Sequence, residues 1–520
     1  MKRKKKAKPH IRFYLVLLMF CLETLAFISL IVGIIVIPLY KYLWIVVFLG
    51  ILINLFCSIF IANTSVEAGF KISWLVVINL IPIGGVILYL LYADKITTTR
   101  MKKLRFNKIN TDLQKGLVDC STTLEEIKNI DHNAYCVANY IYKNSFSSVF
   151  KNSEVTYFTL GDYAFKPILD ELKKAKKFIF MEYFIIDHGI FFDKIYEILK
   201  EKAKNGVDVR LIYDDFGSVF KVKAFFYKQA IKDGIKCVAF NRCRPFMDIR
   251  QNNRDHRKIL IIDGVCSFSG GINIADEYIN KTSRFGLWKD NCFKIEGEAT
   301  NGLTNLFISD WNICHKEKLE HKKFMFLENK EFLRKDVKSD GYIQPFGDVP
   351  FDGKETCRDV HFKLINNAKK YIYISTPYLI PDEELLQSLI IASKSGVDVR
   401  IITPGIPDKK LVYSVTRSYY EKLMLANIKI YEYTPGFNHL KCMVVDDEYC
   451  LTGTVNFDYR SFYLHFENDV LFYKNSNIPL IKDDLLEMIK ESKEISIKDL
   501  KVNVFKKLYR AFIRIFAPLY

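Results

Sequence analysis

The sequence predicts an α/β protein with two related domains, each a helix–sheet–helix sandwich, and a functional site at the interface between them. The motif His-x-Lys-x4-Asp occurs twice, 183 positions apart, beginning at His256 and at His439. The pentapeptide at residues 206–210 also recurs unchanged at 396–400. Repeats of this length predict duplicated domains rather than a solenoid. Ahead of both copies, long apolar runs predict an N-terminal transmembrane helical region.

The N-terminal region contains three apolar runs, at 13–37, 43–62 and 72–92. Each is long enough, or nearly so, to cross about 30 Å of hydrocarbon as a helix. A cleaved signal peptide would show one short run and a small-residue cleavage site, so we interpret these runs as retained anchors. The net charge of +17 indicates an anionic partner, either nucleic acid or acidic lipid, and the apolar runs favour lipid.

The orientation of these anchors follows from basic clusters that precede the first run and follow the last. Both clusters favour the cytoplasmic side, which an odd number of spans does not allow. Glu23 makes the first run the weakest spanner, so two true spans are expected. We therefore expect a multi-pass protein of the cell membrane with its soluble part in the cytoplasm.

The predicted organisation has five parts: a membrane anchor with two or three apolar helices, a basic linker, two domains and a basic amphipathic tail, at 1–94, 95–150, 151–335, 336–500 and 501–520. Continuous apolar strands that alternate with helical segments predict parallel βαβ units in each domain. The tail has two open interpretations. It is either an interfacial helix on acidic lipid or a surface helix packed on its own domain.

The local geometry of the first motif follows from strand periodicity. His256 and Lys258 lie two positions apart on an apolar run, so their side chains project from one face of a strand. Asp263-Gly264 is a hairpin signal, and the returning strand should bring Asn273 beside His256. Asp263 lies an odd number of positions from Lys258, so its side chain should project from the opposite face of the strand. We therefore expect it to brace the turn or the paired half more than to contact a substrate.

The second motif matches, with His439, Lys441, Asp446 at the turn and Asn456 on the return. Two imidazoles, two ammonium groups and two amides should then converge where the halves meet. The lysines can hold a phosphodiester while charge builds on its oxygens. One neutral imidazole can attack phosphorus, and the other can act as general acid and base. This chemistry needs no metal or other cofactor, and the lysine within each motif is a poor neighbour for a cation.

A single His-x-Lys pair on a strand is typical of an exposed surface pair. Two copies with matching Asp, Gly and Asn offsets instead indicate one shared site. These residues resemble the signature of the phospholipase D superfamily, and the whole chain resembles bacterial cardiolipin synthases of the membrane-anchored type. The similarity extends beyond the motifs to further stretches, at Trp74, Pro82, Gly85, Tyr89, 273–278, 285–290, 456–462, 466–467 and 516–519.

The resemblance implies two phospholipase-D-like domains and the conversion of two phosphatidylglycerol molecules to cardiolipin and glycerol through a phosphatidyl-histidine. It implies one histidine as nucleophile and the other as acid and base, with the assignment open. The implied catalytic set consists of the six motif residues, His256, Lys258, Asp263, His439, Lys441 and Asp446. The lysines, Asn273 and Asn456 are implied to bind phosphate.

Two acids are candidates to orient the histidines. Glu467 lies 28 residues after His439, and we expect it to orient that imidazole, while Asp290 should serve His256. An ordinary salt bridge is the alternative for both acids.

Three departures from the family pattern leave the acceptor open: Lys289 replaces an arginine, Asn291-Cys292 replaces a Thr-His pair, and His465 replaces an asparagine. A hydrolase that releases phosphatidic acid is therefore the nearest alternative. A nuclease fits the charge but not the apolar runs, and a silent lipid-binding scaffold conflicts with two intact motifs. We expect phosphatidylglycerol and anionic membrane lipid as partners and no nucleic acid. The oligomeric state stays open.

Overall fold

The computed structural model describes Leu25, Ser29 and residues 43–81, 84–93, 108–243, 252–350 and 353–519. The helices named here are α1 Leu43–Ala62, α2 Ala68–Leu80, α3 Gly84–Tyr92, α4 Ser121–Ile130, α5 His132–Asn144, α6 Gly161–Lys174, α7 Ile190–Lys204, α8 Phe226–Lys232, α9 Thr300–Cys314, α10 Thr356–Asn367, α11 Glu383–Lys394, α12 Lys410–Met424, α13 Tyr459–Tyr463, α14 Asn477–Lys490 and α15 Val504–Ile515.

The strands are β1 Ser153–Phe158, β2 Phe178–Tyr183, β3 Asp208–Asp214, β4 Lys236–Phe240, β5 Lys258–Ile262, β6 Cys266–Gly270, β7 Leu287–Lys289, β8 Cys292–Gly297, β9 Tyr342–Asp348, β10 Tyr371–Ser375, β11 Asp398–Pro404, β12 Lys429–Tyr433, β13 Gly436–Asn438, β14 Cys442–Val445, β15 Tyr449–Gly453, β16 Glu467–Tyr473 and β17 Ser492–Glu494.

The N-terminal helices differ from the three predicted runs. The first run lies outside the described residues apart from Leu25 and Ser29, and the second coincides with α1. The third run divides into α2 and α3, which pack together through the rings of Trp74 and Tyr89, 5.5 Å apart. The division falls beside Pro82, because the residue before a proline avoids helical geometry. None of the helices in the described ranges combines the length and apolarity of a membrane span, so the predicted anchors stay a prediction.

Each half of the chain forms one mixed sheet, and the strand orders of the two sheets match. The first has seven strands in the order β1-β8-β6-β5-β2-β3-β4, and the second has eight in the order β17-β12-β11-β10-β14-β15-β16-β9. Strands β2, β3 and β4 are parallel, as are β10, β11 and β12. The motif strands pair antiparallel because tight hairpins join them, so the expectation of parallel units holds for only part of each sheet.

The two sheets share one hydrophobic core at the interface between the halves. One buried cluster combines Phe180 and Phe293 of the first half with Phe472 of the second, and the rings of Phe293 and Phe472 lie 5.7 Å apart. Helix α9 packs against β9 of the second half. Gly302 permits this approach, because a Cβ there would lie 2.9 Å from Cβ of Pro345.

Two short backbone pairings cross from one half to the other and lead directly into the histidines. Strand β7 pairs in parallel with β13, and Asp255 forms an isolated bridge with Phe466. The amide of His439 donates to the carbonyl of Lys289 at 2.8 Å, and the amide of His256 donates to the carbonyl of Phe466 at 2.9 Å. Each motif histidine is therefore anchored on the opposite half.

Candidate active site

His256 and His439 line one cavity of about 660 Å³ between the halves. Each follows a pairing that crosses the interface, and Lys258 and Lys441 then begin or precede the buried strands β5 and β14. The convergence expected from the doubled motif therefore holds for the two imidazoles. The cavity can present both rings to a single ligand.

The histidines are held by carboxylates of the opposite half, and this corrects the expected pairing. Nδ1 of His256 lies 2.9 Å and 3.0 Å from the two carboxylate oxygens of Glu467. Nδ1 of His439 lies 2.5 Å from Oδ2 of Asp290. Each acid directly follows the segment that pairs with the other half's histidine, so the crossed backbone pairing brings the acid to that histidine.

The two histidine–acid pairs are built differently. The hydroxyl of Thr454 donates to Oε2 of Glu467, which fixes the carboxylate from a second side. The equivalent position beside Asp290 is Gly271, where a Cβ would lie 1.9 Å from Oδ1. Asp290 therefore requires a glycine at position 271. Glu467 instead has the hydroxyl of Thr454 as an additional hydrogen-bond partner.

The motif lysines contact the backbone of the motif histidines. Lys258 and Lys441 each donate a hydrogen bond from Nζ to the carbonyl of the histidine two residues earlier, and Nζ of Lys441 lies 2.7 Å from Nδ1 of His439. Burial lowers the pKa of Lys258 to about 7 and that of Lys441 to about 8. An anion in the cavity would favour their charged forms.

Both imidazoles are held in the neutral form. Burial lowers the pKa of His256 well below its ordinary value, and the charges of Lys258 and Lys441 lower it further. The pKa of His439 is lowered by burial and the same two lysines. A neutral imidazole whose Nδ1 faces a carboxylate presents Nε2 as a nucleophile or base.

The motif aspartates do not line the cavity, which corrects their place in the catalytic set. The carboxylate of Asp263 accepts hydrogen bonds from the backbone amides of Lys176, Lys177 and Phe178 at 2.7–3.2 Å. Asp446 does the same for the amides of residues 369–371 at 2.6–2.8 Å. Both residues also take a positive φ at their hairpin turns, so they brace the strand beside the motif, as their parity indicates.

The two asparagines line the cavity but have different partners. Asn273 accepts from the amide of Ile185 at 3.0 Å and donates to the hydroxyl of Tyr278 at 2.7 Å. The ring of Tyr278 lies 5.5 Å from that of His439. In contrast, Oδ1 of Asn456 is buried without a hydrogen-bond partner among the described residues. The side-chain amide of Asn456 is therefore more available to a ligand than that of Asn273.

Sequence reasoning missed several charged residues that the fold brings to the cavity. They are three cations and three acids, Arg254, Lys409, Arg460, Glu277, Asp408 and Asp458. Arg254 had a usable signal, because it lies two residues before His256 and continues the same face. Lys409 and Asp408 had none, because their loop approaches the site only through tertiary folding. Phe184 and Trp288 add apolar walls.

One cluster with metal-ligand chemistry also occurs in the described part of the chain. Ligand atoms of His256, His465 and Glu467 lie within 4.8 Å of one another. Glu467 is already hydrogen-bonded to His256 and Thr454, so its carboxylate is committed to orienting the His256 ring. We therefore derive no step through a metal.

The chain matches two family models and several named proteins. The family model described as "Cardiolipin synthase, PLD-like domain" matches residues 168–311 and 362–489, and "Phospholipase_D-nuclease N-terminal" matches residues 52–92. Proteins named cardiolipin synthase from Alkalihalophilus pseudofirmus and Geobacillus thermodenitrificans are 33% and 34% identical. Both matches cover 86% of this chain and 88% of the relative. An uncharacterised Streptococcus mutans protein is 37% identical over 89% of this chain and 99% of its own length.

One solved structure agrees on the fold. The phosphatidylserine synthase of Haemophilus influenzae superimposes with a TM-score of 0.55 at 17% identity, over 74% of this chain and 97% of that one. Together with the doubled histidine site, these matches show that the chain belongs to the cardiolipin synthase family of phospholipase-D-like phosphatidyltransferases.

Proposed function

We propose that this enzyme transfers the phosphatidyl group of one phosphatidylglycerol to the free primary hydroxyl of another, which yields cardiolipin and glycerol. The observation that carries the proposal is the shared cavity in which His256 and His439 each contact a carboxylate of the opposite half. Two neutral imidazoles beside two lysines suit a double displacement at a phosphodiester.

The first step joins Nε2 of His256 to phosphorus and breaks the bond from phosphorus to the glycerol headgroup. His439, protonated once the anionic lipid is bound, donates its proton to the departing alkoxide. In the second step, His439 takes the proton of the incoming hydroxyl, whose oxygen attacks phosphorus. The bond from phosphorus to His256 breaks, and both histidines return to their starting states.

We assign His256 as the nucleophile because of its firmer support. Both oxygens of Glu467 face its Nδ1, and Thr454 holds that carboxylate in place. His439 lies near both Asp290 and Lys441, an environment that can respond to proton transfer. Lys258 and Lys441, with Asn273 and Asn456, are assigned to the phosphate oxygens, where they would stabilise developing charge.

We further propose that the apolar N-terminal region holds the enzyme in the cell membrane, with the catalytic halves in the cytoplasm. The exposed apolar side chains of α1 support a lipid environment, since Phe56 is 72% exposed and Ile59 55%. A membrane-bound enzyme would meet its lipid substrates at the bilayer surface.

A lipid-product assay tests this function. The purified full-length chain is given phosphatidylglycerol, alone or with phosphatidylethanolamine, in mixed micelles that contain a chelator. Cardiolipin and glycerol in equal amounts are expected in both mixtures. Phosphatidic acid as the main product would contradict the transferase, and ethanolamine release would contradict the proposed donor. His188→Ala is the matched control, because His188 is an exposed histidine paired with Asp193 outside the cavity.

A further inference from the structure

Helix α15 displays its apolar face outward. Phe505, Leu508, Tyr509 and Phe512 follow the i, i+3, i+4, i+7 pattern of one helix face, and they are 83%, 61%, 50% and 52% exposed. In a helix that packs on its own domain, this face would be the buried one. The exposed face therefore favours an apolar environment such as a lipid layer.

The opposite side of α15 carries cations that face a groove. Lys507, Arg510 and Arg514 line a cavity of about 970 Å³, which we call the α2–α15 groove. Gly69 and Ile72 of α2 line the same groove, as does Arg417 of α12. The groove thus combines apolar walls with several cations.

Two of the three acids that line the groove, Glu67 and Glu383, have other partners. The carboxylate of Glu67 accepts hydrogen bonds from the amides of Gly69 and Phe70 at the start of α2. Glu383 accepts a hydrogen bond from Lys422 at 2.5 Å. Neither acid therefore serves as the principal counter-ion for the cations of α15.

Among the residues that the structure describes, none forms an ion pair with Arg510. Its Nε is buried without a hydrogen-bond partner in the described part of the chain. Burial and the nearby charge of Arg417 lower its pKa. The adjacent Glu432 is hydrogen-bonded to Tyr413 and ion-paired with Arg417. Two neighbouring guanidinium groups in a partly desolvated groove favour an anion between them.

We propose that the α2–α15 groove binds the phosphate of an anionic glycerophospholipid from a membrane surface. Arg510 and Arg417 hold the phosphate, and the acyl chains lie against Ile72 and Ile515. The exposed apolar face of α15 enters the same lipid layer, which is why the occupant is a lipid rather than free phosphate. This site is distinct from the candidate active site and does not depend on the proposed reaction.

The groove also adjoins the catalytic cavity. Tyr459 lines both, and in the short C-terminal turn Ala517–Leu519, Ala517 lines the cavity while Pro518 lines the groove. Gly69 packs tightly here, since a Cβ would lie 2.7 Å from the hydroxyl of Tyr459. A lipid in the groove would therefore hold the membrane surface beside the entrance to the catalytic site.

Photolabelling of the full chain in neutral-detergent micelles tests the site. Photoreactive phosphatidic acid carries a phosphate but no headgroup to transfer, and photoreactive diacylglycerol lacks the phosphate. Labelled peptides are mapped by mass spectrometry. Phosphatidic acid should label peptides of α2 and α15 far more than diacylglycerol does, and inorganic phosphate should not displace it. Equal labelling by both probes, or displacement by inorganic phosphate, would overturn the proposal.

Matched variants localise the interaction. Arg510→Gln should lower labelling of the groove by about tenfold, the loss expected for one hydrogen bond to a charged group. Lys506→Gln removes the same charge from an exposed position outside the groove and should change labelling by less than about twofold. An equal loss of labelling in the two variants would show that labelling depends on diffuse electrostatic attraction rather than on a specific site, which would overturn the proposal. Arg510→Lys should retain part of the labelling, and unchanged labelling of cavity peptides confirms that each variant is folded.

Discussion

The Nδ1 atom of His256 lies 2.9 Å from Oε2 of Glu467, a residue 211 positions later and in the other half of the fold. The same crossing joins His439 to Asp290. Each motif histidine takes its carboxylate from the opposite half, so the two halves must be assembled before either imidazole is oriented. The doubled motif therefore specifies one site rather than two.

The crossed pairing predicts which histidine responds to each acid. Glu467→Gln should change the rate at which diethyl pyrocarbonate modifies His256, and Asp290→Asn should change that of His439. The affected histidine should respond by at least about threefold, because a hydrogen bond to a charged group contributes about 1.5–3 kcal/mol. Site-resolved mass spectrometry measures both rates in each variant. If Glu467→Gln altered only His439, the crossed arrangement would be wrong.

The pH dependence follows from the lowered pKa values of the lysines. Lys258 and Lys441, with pKa values of about 7 and about 8, hold an anion only when charged, so this capacity is lost as the pH rises through those values. We expect kcat/KM to fall above that range, whereas kcat should fall at higher pH because the bound anion raises both pKa values. The pKa of His256 is lowered and this imidazole must be neutral to attack phosphorus, so an acid limb should lie below about pH 6.5.

Lys258→Arg is the matched variant for this profile, because Lys258 has the lower pKa of the two lysines and arginine keeps its charge at higher pH. Its alkaline limb of kcat/KM should move to higher pH than that of the unmodified chain. A kcat/KM that stays constant through the alkaline range in the unmodified chain would contradict the assigned role of the lysines.

The motif aspartates should affect stability more than substrate binding. Asp263→Asn weakens a carboxylate that accepts from three backbone amides, and we expect it to lower the free energy of unfolding by about 1.5–3 kcal/mol. Asp446→Asn should cost less, because Asp446 is only half-buried. Urea unfolding measures both changes, and KM for phosphatidylglycerol should stay the same. A raised KM with an unchanged free energy of unfolding would indicate that Asp263 takes part in substrate binding.

Features that depend on a few neighbouring residues could be predicted from the sequence. The hairpin at Asp263-Gly264 and the bracing role of Asp263 follow from turn chemistry and strand parity, and the structure confirms both. The pairing of acids with histidines was wrong, because proximity along the chain suggested Glu467 for His439. Crossed backbone pairing decides the partners, and it depends on tertiary contacts such as Gly436 against Leu287, where a Cβ would lie 2.0 Å from a carbonyl oxygen.

The most direct test of the two-histidine mechanism is mass-spectrometric mapping of a phosphatidyl adduct after brief exposure of His256→Ala and His439→Ala to phosphatidylglycerol. Each variant should lose at least about 100-fold in transferase turnover, since each histidine transfers protons or bonds to phosphorus. The His439→Ala chain should accumulate the adduct on His256, because removal of the acid and base slows its resolution. An adduct on neither histidine, or full turnover by either variant, would contradict the account.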